Sequence, residues 1–506
     1  MELQSSILSK LVGVVEKVPW PEACVSLLLF FLLHWYHKQR KNPVMSWPLL
    51  RTFPPFVANL HRLHEWLTEV LAAAGGTINV SGPVMTNRNF LMTCDPRNLE
   101  YILKTNFNNF PKGAEINSAF SELLGSGIFN LDGKPWMTQR KIANAHFHSK
   151  LFRQFVVKTT GDIINEQLIP ILASSARSGC AIDLHDVLLR FTFDSTCTAV
   201  LGENLHSLSS GFPTVPFSKA VDDVLEAIAY RYLLPRSWQH VLRRLNLWKE
   251  KQLADAMVVI EEFIACQVNL RKLRRLQTND LLSIYAGTSE DKTFLRDAAI
   301  NFLLAGRDTS GNAMGWFFWL LSKYPRVEKR ILEEVREILM SNHRENLVLD
   351  DLDKLVYLHA ALCEALRLHP IVPFGLKGVV KEATLPSGHI VKPGTIIMYH
   401  AYSVGRMRWI WGEDCMEFKP ERWIDDEGRL RHENNSFRFI AFNAGPRTCV
   451  GREVAFVQMK LAAAAILLNF ELSVEKDHPV LPRTSVILTM KNGLKVRVKE
   501  RPQTLL

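Results

Sequence analysis

The feature that most restricts this chain is FNAGPRTCVG, Phe442–Gly451, a lone cysteine set among glycines and a proline. Two residues later begins the apolar run VAFVQMKLAAAAILLNF, which reads as a buried helix. A thiol at the edge of a helix start faces backbone N–H groups that lack intrahelical partners and the positive end of the helix dipole. Both favour thiolate over thiol. Gly445 permits a turn closed to residues with a Cβ, Pro446 stiffens the loop, and Gly451 lets backbone approach something large and flat. Arg447 lies two residues before the thiol, where it can meet a carboxylate on that flat object.

A thiolate, close-approach glycines and an adjacent cation suit an iron porphyrin held through an axial cysteine. The other thiols do not compete for that role. The eight cysteines, at 24, 94, 180, 197, 266, 363, 415 and 449, form no CxxC pair and no disulfide framework. Such dispersion fits a reducing compartment. With 61 Lys+Arg against 51 Asp+Glu the chain carries +10, which suits anionic lipid or an acidic protein partner as well as an ordinary solvated surface. No zinc-finger spacing and no arginine-rich arm occurs, so nucleic acid is not an expected partner.

Periodic apolar stripes or helix-rich composition predict helices over 154–173, 248–276, 294–323, 326–341, 355–368 and 452–469. Strand-like pieces are short: INV near 78, FLMT near 90, TIIMY near 395, then SVILTM and LKVRV. Residues 378–399 carry the turn punctuation of hairpins. The expected fold is mainly α with a small β-rich part. No repeat and no linker follows residue 55, so 56–506 reads as one domain.

At the other end, ACVSLLLFFLLHWY at 23–36 is nearly free of charge, and HKQRK follows it. The basic flank favours a cytosolic position for everything after it. As a helix the run reaches only ~21 Å, Pro19 and Pro21 block a simple upstream extension, and residues 3–18 show the spacing of an interfacial helix. Residues 1–41 therefore read as an uncleaved membrane anchor, and the prolines of NPVMSWPLLRTFPP make 42–55 a stiff hinge.

Three further segments stand out. ALCEALRLHP sets Glu364 and Arg367 on one helix face, and FKPERW later supplies Arg422. FLLAGRDTSGNAMGWFFWLL places Ala305, Gly306, Asp308 and Thr309 in an otherwise apolar helix, where a buried polar pair needs partners. PWMTQRKIANAHF carries Trp136 and Arg140 four residues apart. Taken singly, these are an ion pair, a close helix contact and an exposed pair.

Together, FNAGPRTCVG and the further motifs WxxxR, AGRDTS, ExxR and PERW resemble the signature of the cytochrome P450 monooxygenases across essentially the whole chain. The resemblance implies haem b with Cys449 as axial ligand, and Phe442, Arg447, Gly451, Trp136 and Arg140 around it. Glu364, Arg367 and Arg422 would brace the cysteine loop. Ala305 and Gly306 would leave room for O2, with Asp308 and Thr309 delivering protons. Phe120, Leu123, Leu124, Leu303 and Phe374 fall in the segments that usually line the substrate pocket. Since no flavin or nicotinamide fingerprint occurs, electrons would come from a separate NADPH-cytochrome P450 reductase, on the endoplasmic reticulum membrane with the catalytic domain on the cytosolic face. The wording of AGRDTS, LPSGHIV and WGEDCMEFKPERWI is similar to plant hydroxylases of fatty acids and wax alkanes, a group with a neighbouring branch that couples phenolic alkaloid precursors. The implied substrate is a hydrophobic small molecule, with alkane, free acid and site of hydroxylation left open.

Overall fold

The computed structural model describes residues 20–39, 42–86, 89–233, 236–274, 280–289, 291–344, 347–431, 437–483 and 485–502. The 3–18 stretch read as an interfacial helix lies outside them, as do Arg40 and Lys41 of the basic flank.

Helix α1, Trp20–Gln39, is longer than the 23–36 expected. Pro21 does not block it, because a proline in the first helical turn gives up an N–H that has no partner there. Val25, Leu27, Leu28, Leu29, Phe30, Phe31 and Leu33 are each more than half exposed, so the described residues leave this apolar surface uncovered. Among the described residues no helix is long and apolar enough to cross a membrane. The end of α1 is tied to the proline-rich segment: Trp35 Nε1 donates to Ser46 O (2.8 Å), and the Trp35 and Trp47 rings lie 5.2 Å apart.

Helices that matter for the site are α2 (Leu63–Ala73), α3 (Gly113–Leu124), α4 (Gly133–Phe147), α5 (Leu184–Leu201), α6 (Pro216–Leu233), α7 (Lys292–Lys323), α8 (Val356–Leu368) and α9 (Arg452–Asn469). At 32 residues, α7 is ~48 Å long and runs through the interior. Asp291 caps it, accepting from Thr293 N at 2.9 Å. Two clusters of buried apolar side chains meet along it. Leu295–Leu304 belong to one and Ala313–Leu321 to the other, which leaves the small and polar residues between them at the junction.

Strands are few, as expected. β1 (Thr77–Ser81), β2 (Asn89–Thr93), β4 (Phe374–Lys377) and β7 (Thr395–His400) form one sheet in the order β1-β2-β7-β4. β2 and β7 run parallel and the other pairs antiparallel, and Phe374 stands opposite His400. β3 (Ile182–Asp183), β9 (Lys495–Glu500) and β8 (Phe470–Val474) form a second sheet, and β5 (Ala383–Thr384) pairs with β6 (Ile390–Val391). SVILTM is not a strand: of it, only Met490 pairs, in a lone bridge with Pro482. Its backbone is spent elsewhere, since Leu488 N bonds Ile371 O and Leu488 O accepts from Trp316 Nε1.

Candidate active site

The cysteine loop is a tight turn forced by its glycine. Gly445 has φ +65°, and a Cβ there would collide with the Leu103 carbonyl oxygen. The turn is closed by Thr448 N and Oγ1 on Gly445 O, and by Cys449 N on Phe442 O at 2.8 Å. The Phe442 ring packs on Phe456 of α9 at 5.3 Å. Gly451 precedes α9, and a Cβ there would meet only Phe147 at 3.7 Å and Cys449 Sγ at 4.0 Å, so the protein alone does not require glycine at that point.

Cys449 opens onto an internal cavity of about 680 Å³, well inside the range of roughly 300–1,000 Å³ of small-molecule and cofactor sites. The sulfur is accessible from that cavity yet lies deep within the protein. Burial pushes its pKa up, against the pull of the Gly451 and Arg452 N–H groups and of the Arg140 and Arg452 charges. The helix-start argument thus has the right partners and the wrong net sign: by itself the protein favours the thiol. A coordinating metal ion would reverse this, because a bound thiol is deprotonated outright.

Facing the same cavity, α7 contributes Ala305, Gly306, Asp308 and Thr309. Thr309 Oγ1 donates to Ala305 O at 2.5 Å. Asp308 Oδ1 pairs with Arg307 Nη1, while its Oδ2 is buried without a partner. Burial raises the Asp308 pKa to about 6, with Arg307 opposing and Asp222 reinforcing the shift. Gly306 borders the cavity and also answers to the close-helix-contact alternative. A Cβ on it would point at Thr196 of α5, 2.5 Å from Oγ1, so the missing side chain serves close contact between two helices. Gly311 meets Thr192 and Gly315 meets His185 along the same contact.

Beside the thiol sits a group of cations. The Arg447 guanidinium lies over the Trp136 ring at 4.4 Å and donates to Leu131 O and Asp132 Oδ1 at 2.6 and 2.7 Å, with its Nε left unbonded. Arg140 borders the cavity within electrostatic reach of Cys449. Two lysines that no motif announced join them. Lys112 donates through Nζ to Phe129 O, and Lys377 lies over the Phe107 ring at 5.1 Å with a buried Nζ that has no hydrogen-bond partner. Burial, then the Arg447 charge, lowers Lys112 to about 8 and Lys377 to about 7. Asp132 is burdened by burial, but the Gly113 and Lys112 N–H groups and Arg447 hold its carboxyl below the usual range. An orphaned buried ammonium among cations calls for an anion. A porphyrin with two carboxylates beside a cysteine loop supplies one, so these residues fit the group. The sequence signal for Lys377 was a single lysine in the otherwise uncharged PFGLKG.

Behind the loop, Glu364 and Arg367 form a two-pronged pair at 2.7 and 2.8 Å, and Arg422 Nε reaches Glu364 Oε1 at 3.2 Å. Trp423 Nε1 and Lys419 N complete the carboxylate, and Arg367 also bonds the carbonyls of Gly405, Cys415 and Glu417. The three residues therefore meet, fully or nearly buried, and fasten α8 to the segment 405–423. Of the pocket residues, Phe120, Leu123, Leu124 and Phe374 line the cavity. Leu303 does not: it is fully buried in a core cluster, and Leu304 lines the cavity instead. One residue along a helix turns the side chain by about 100°.

A mainly apolar cavity with a cysteine turn, a cationic edge and a polar pair in the helix bordering it defines a haem-thiolate oxygenase architecture. The family description "Cytochrome P450" matches residues 50–498, and the chain belongs to that family. It is accordingly a monooxygenase that uses haem b bound through cysteine thiolate, O2, a redox partner and a hydrophobic substrate. It is 37% identical over 518 residues to "Cytochrome P450 86B1" of Arabidopsis thaliana, covering 98% of this chain and 92% of that one. "Alkane hydroxylase MAH1" of the same plant is 37% identical over 494 residues (94% and 97% of the two chains). "Noroxomaritidine synthase 1" of Narcissus pseudonarcissus is 39% identical over 494 residues (95% and 96%).

Proposed function

We propose that this monooxygenase hydroxylates long or very-long-chain aliphatic substrates, alkane or fatty acid, with electrons from NADPH-cytochrome P450 reductase. The carrying observation is the cavity, whose lining extends from Cys449 to Leu60, Phe56 and Phe53 and is overwhelmingly apolar between them. Similarity to a protein named alkane hydroxylase supports the same reading. Oxidation of a phenolic or alkaloid precursor is a second reading, supported by similarity to the noroxomaritidine synthase.

In this assignment Cys449 is the iron ligand, and Arg140, Arg447, Trp136, Lys112 and Lys377 hold the propionates. When bound, haem supplies oxygen activation and one-electron chemistry. The protein's own work is to orient the chain along the apolar wall, exclude water and manage protons. With its pKa raised to about 6, Asp308 can take up and release a proton at Oδ2 close to neutral pH, and the Thr309 hydroxyl passes it to the cavity. Glu364, Arg367 and Arg422 keep the loop in register. Residues 1–41 serve as the anchor, with α1 presenting its apolar surface to lipid, 42–55 as the hinge and 56–506 as the catalytic domain on the cytosolic face of the endoplasmic reticulum.

The test is a reduced, carbon monoxide-treated spectrum followed by turnover of a mixture of alkanes, fatty acids and phenolics with the reductase. We expect the strongly red-shifted thiolate band, its loss in Cys449→Ser, and products from the linear chains. An imidazole-type band would remove the ligand assignment, and products from phenolics alone would remove the substrate assignment.

A further inference from the structure

Behind one wall of the cavity lies a closed circuit of hydrogen bonds that the reaction does not use. Thr68 Oγ1 donates to the carbonyl oxygen of His64, one turn earlier in α2, at 2.8 Å. With its proton committed, Thr68 Oγ1 accepts from Ser403 Oγ at 2.8 Å. Ser403 then accepts from His400 Nδ1–H at 2.6 Å. This leaves His400 Nε2 with a lone pair for His64 Nδ1–H, at 3.1 Å. The circuit returns to the residue where it began, and each imidazole is left with one tautomer that satisfies it. Burial keeps both rings neutral, lowering His64 to about 4 and His400 well below its ordinary value.

The two imidazole planes are 15° apart, so the hydrogen-bonded pair forms a nearly flat plate. Phe374, the cross-strand partner of His400, lies on it. Its ring is 4.5 Å from that of His400 with planes 19° apart, and 5.3 Å from that of His64. Phe374 borders the cavity, whereas neither histidine does. Along α2, Leu63 and Leu67 face the cavity while His64 and Thr68 serve the circuit. A phenylalanine at a strand start has several rotamers open to it. One stacked on a plate that cannot turn has its place fixed. A wall displaced by ~1 Å is enough to change which atom of a bound chain sits in reacting geometry.

We infer that the His64–His400 pair positions Phe374, and through it selects the carbon that a bound chain presents for oxidation. His64 and His400 are positioning residues, and only the product readout below rests on the aliphatic-chain reading.

The test compares haem-loaded wild type with His400→Leu, Phe374→Leu and the double variant. One readout is the ratio of dissociation constants for butylimidazole and dodecylimidazole, probes that bind haem iron and send a tail into the cavity. The other is the ratio of hydroxylated isomers from a linear substrate. We expect His400→Leu to move both ratios by about threefold or more, in the direction of Phe374→Leu. The double variant should match Phe374→Leu alone, as expected when one residue acts through the other. A lower Tm with both ratios unchanged, or additive shifts in the double variant, would overturn the inference. Should His400→Leu yield no folded haem protein, Thr68→Val opens the circuit away from Phe374 and is judged by the same ratios. If the wild type oxidises no linear chain, the aliphatic reading fails while the imidazole ratio still decides this one.

Discussion

Asp308 shows how far a residue type and its neighbours can be read from sequence and where the reading stops. An acid in an apolar helix was legible as a functional candidate; the size and sign of its perturbation depend on Arg307 and Asp222, and Asp222 comes from α6, far off in sequence. Burial moves the folded-state pKa from 3.8 to about 6. Between those values the folded protein binds more protons than the unfolded chain, so this carboxyl lowers stability as pH rises from about 4 to about 6 and adds nothing further above that. The loss is on the order of 3 kcal/mol for a shift of this size. Calorimetry of wild type and Asp308→Asn, both haem-loaded, should show wild type losing that advantage across the window. A difference that stays flat with pH would mean that Asp308 is not held in the environment described. The cysteine teaches the complementary lesson. Its N–H partners and nearby arginines were legible, but burial outweighs them, and burial is a property of the whole fold.

At the scale of elements, helix positions followed from apolar stripes or from helix-rich composition: 248–276 against Trp248–Arg274, 326–341 against Pro325–Ser341, 452–469 without change. Faces were harder to read. Leu303 and Leu304 differ by one step, and only packing decides which borders the cavity. Gly306 was read as space for oxygen, and its missing Cβ proves to face Thr196. That assignment can be checked. Gly306→Ala gains about 1 kcal/mol of helix propensity, but its Cβ would fall 2.5 and 2.6 Å from Thr196 Oγ1 and Cγ2. The net expectation is a destabilisation of about 1–2 kcal/mol from overpacking. Thr196 Oγ1 is buried without a partner, so Thr196→Ala forfeits no hydrogen bond. The pair Gly306→Ala/Thr196→Ala should therefore recover most of the lost Tm. If the single variant melts as wild type does, or the pair melts no higher than the single, the glycine does not exist for this helix contact.

For the molecule as a whole, sequence motifs located the loop, the ExxR and PERW residues and the α7 polar pair, because each motif packs its chemistry into a few consecutive residues. Lys112 and Lys377 escaped because the cationic edge is assembled from α4, β4, the cysteine loop and the turn before α3, which only the fold brings together. The same distinction bears on membrane attachment. Arg447 and its neighbours are buried, so they offer no surface for the proposed membrane attachment; the exposed apolar residues of α1 do. Burying about seven such side chains in lipid, at roughly 1.5–3 kcal/mol each, is far more than a soluble chain forgoes without reason. Among the described residues no helix, α1 included, is long and apolar enough to cross a membrane. A chain lacking residues 1–41 should leave the pelleted membrane fraction and no longer float with phosphatidylcholine vesicles, while its carbon monoxide spectrum stays that of the full chain. If the truncated chain floats undiminished, attachment lies elsewhere on the surface, where Trp238, Val241 and Leu245 are also more than half exposed. Salt separates the remaining causes. Binding through the +10 net charge weakens steeply as the Debye length falls from ~10 Å at 0.1 M to ~3 Å at 1 M, whereas insertion of α1 persists at high salt.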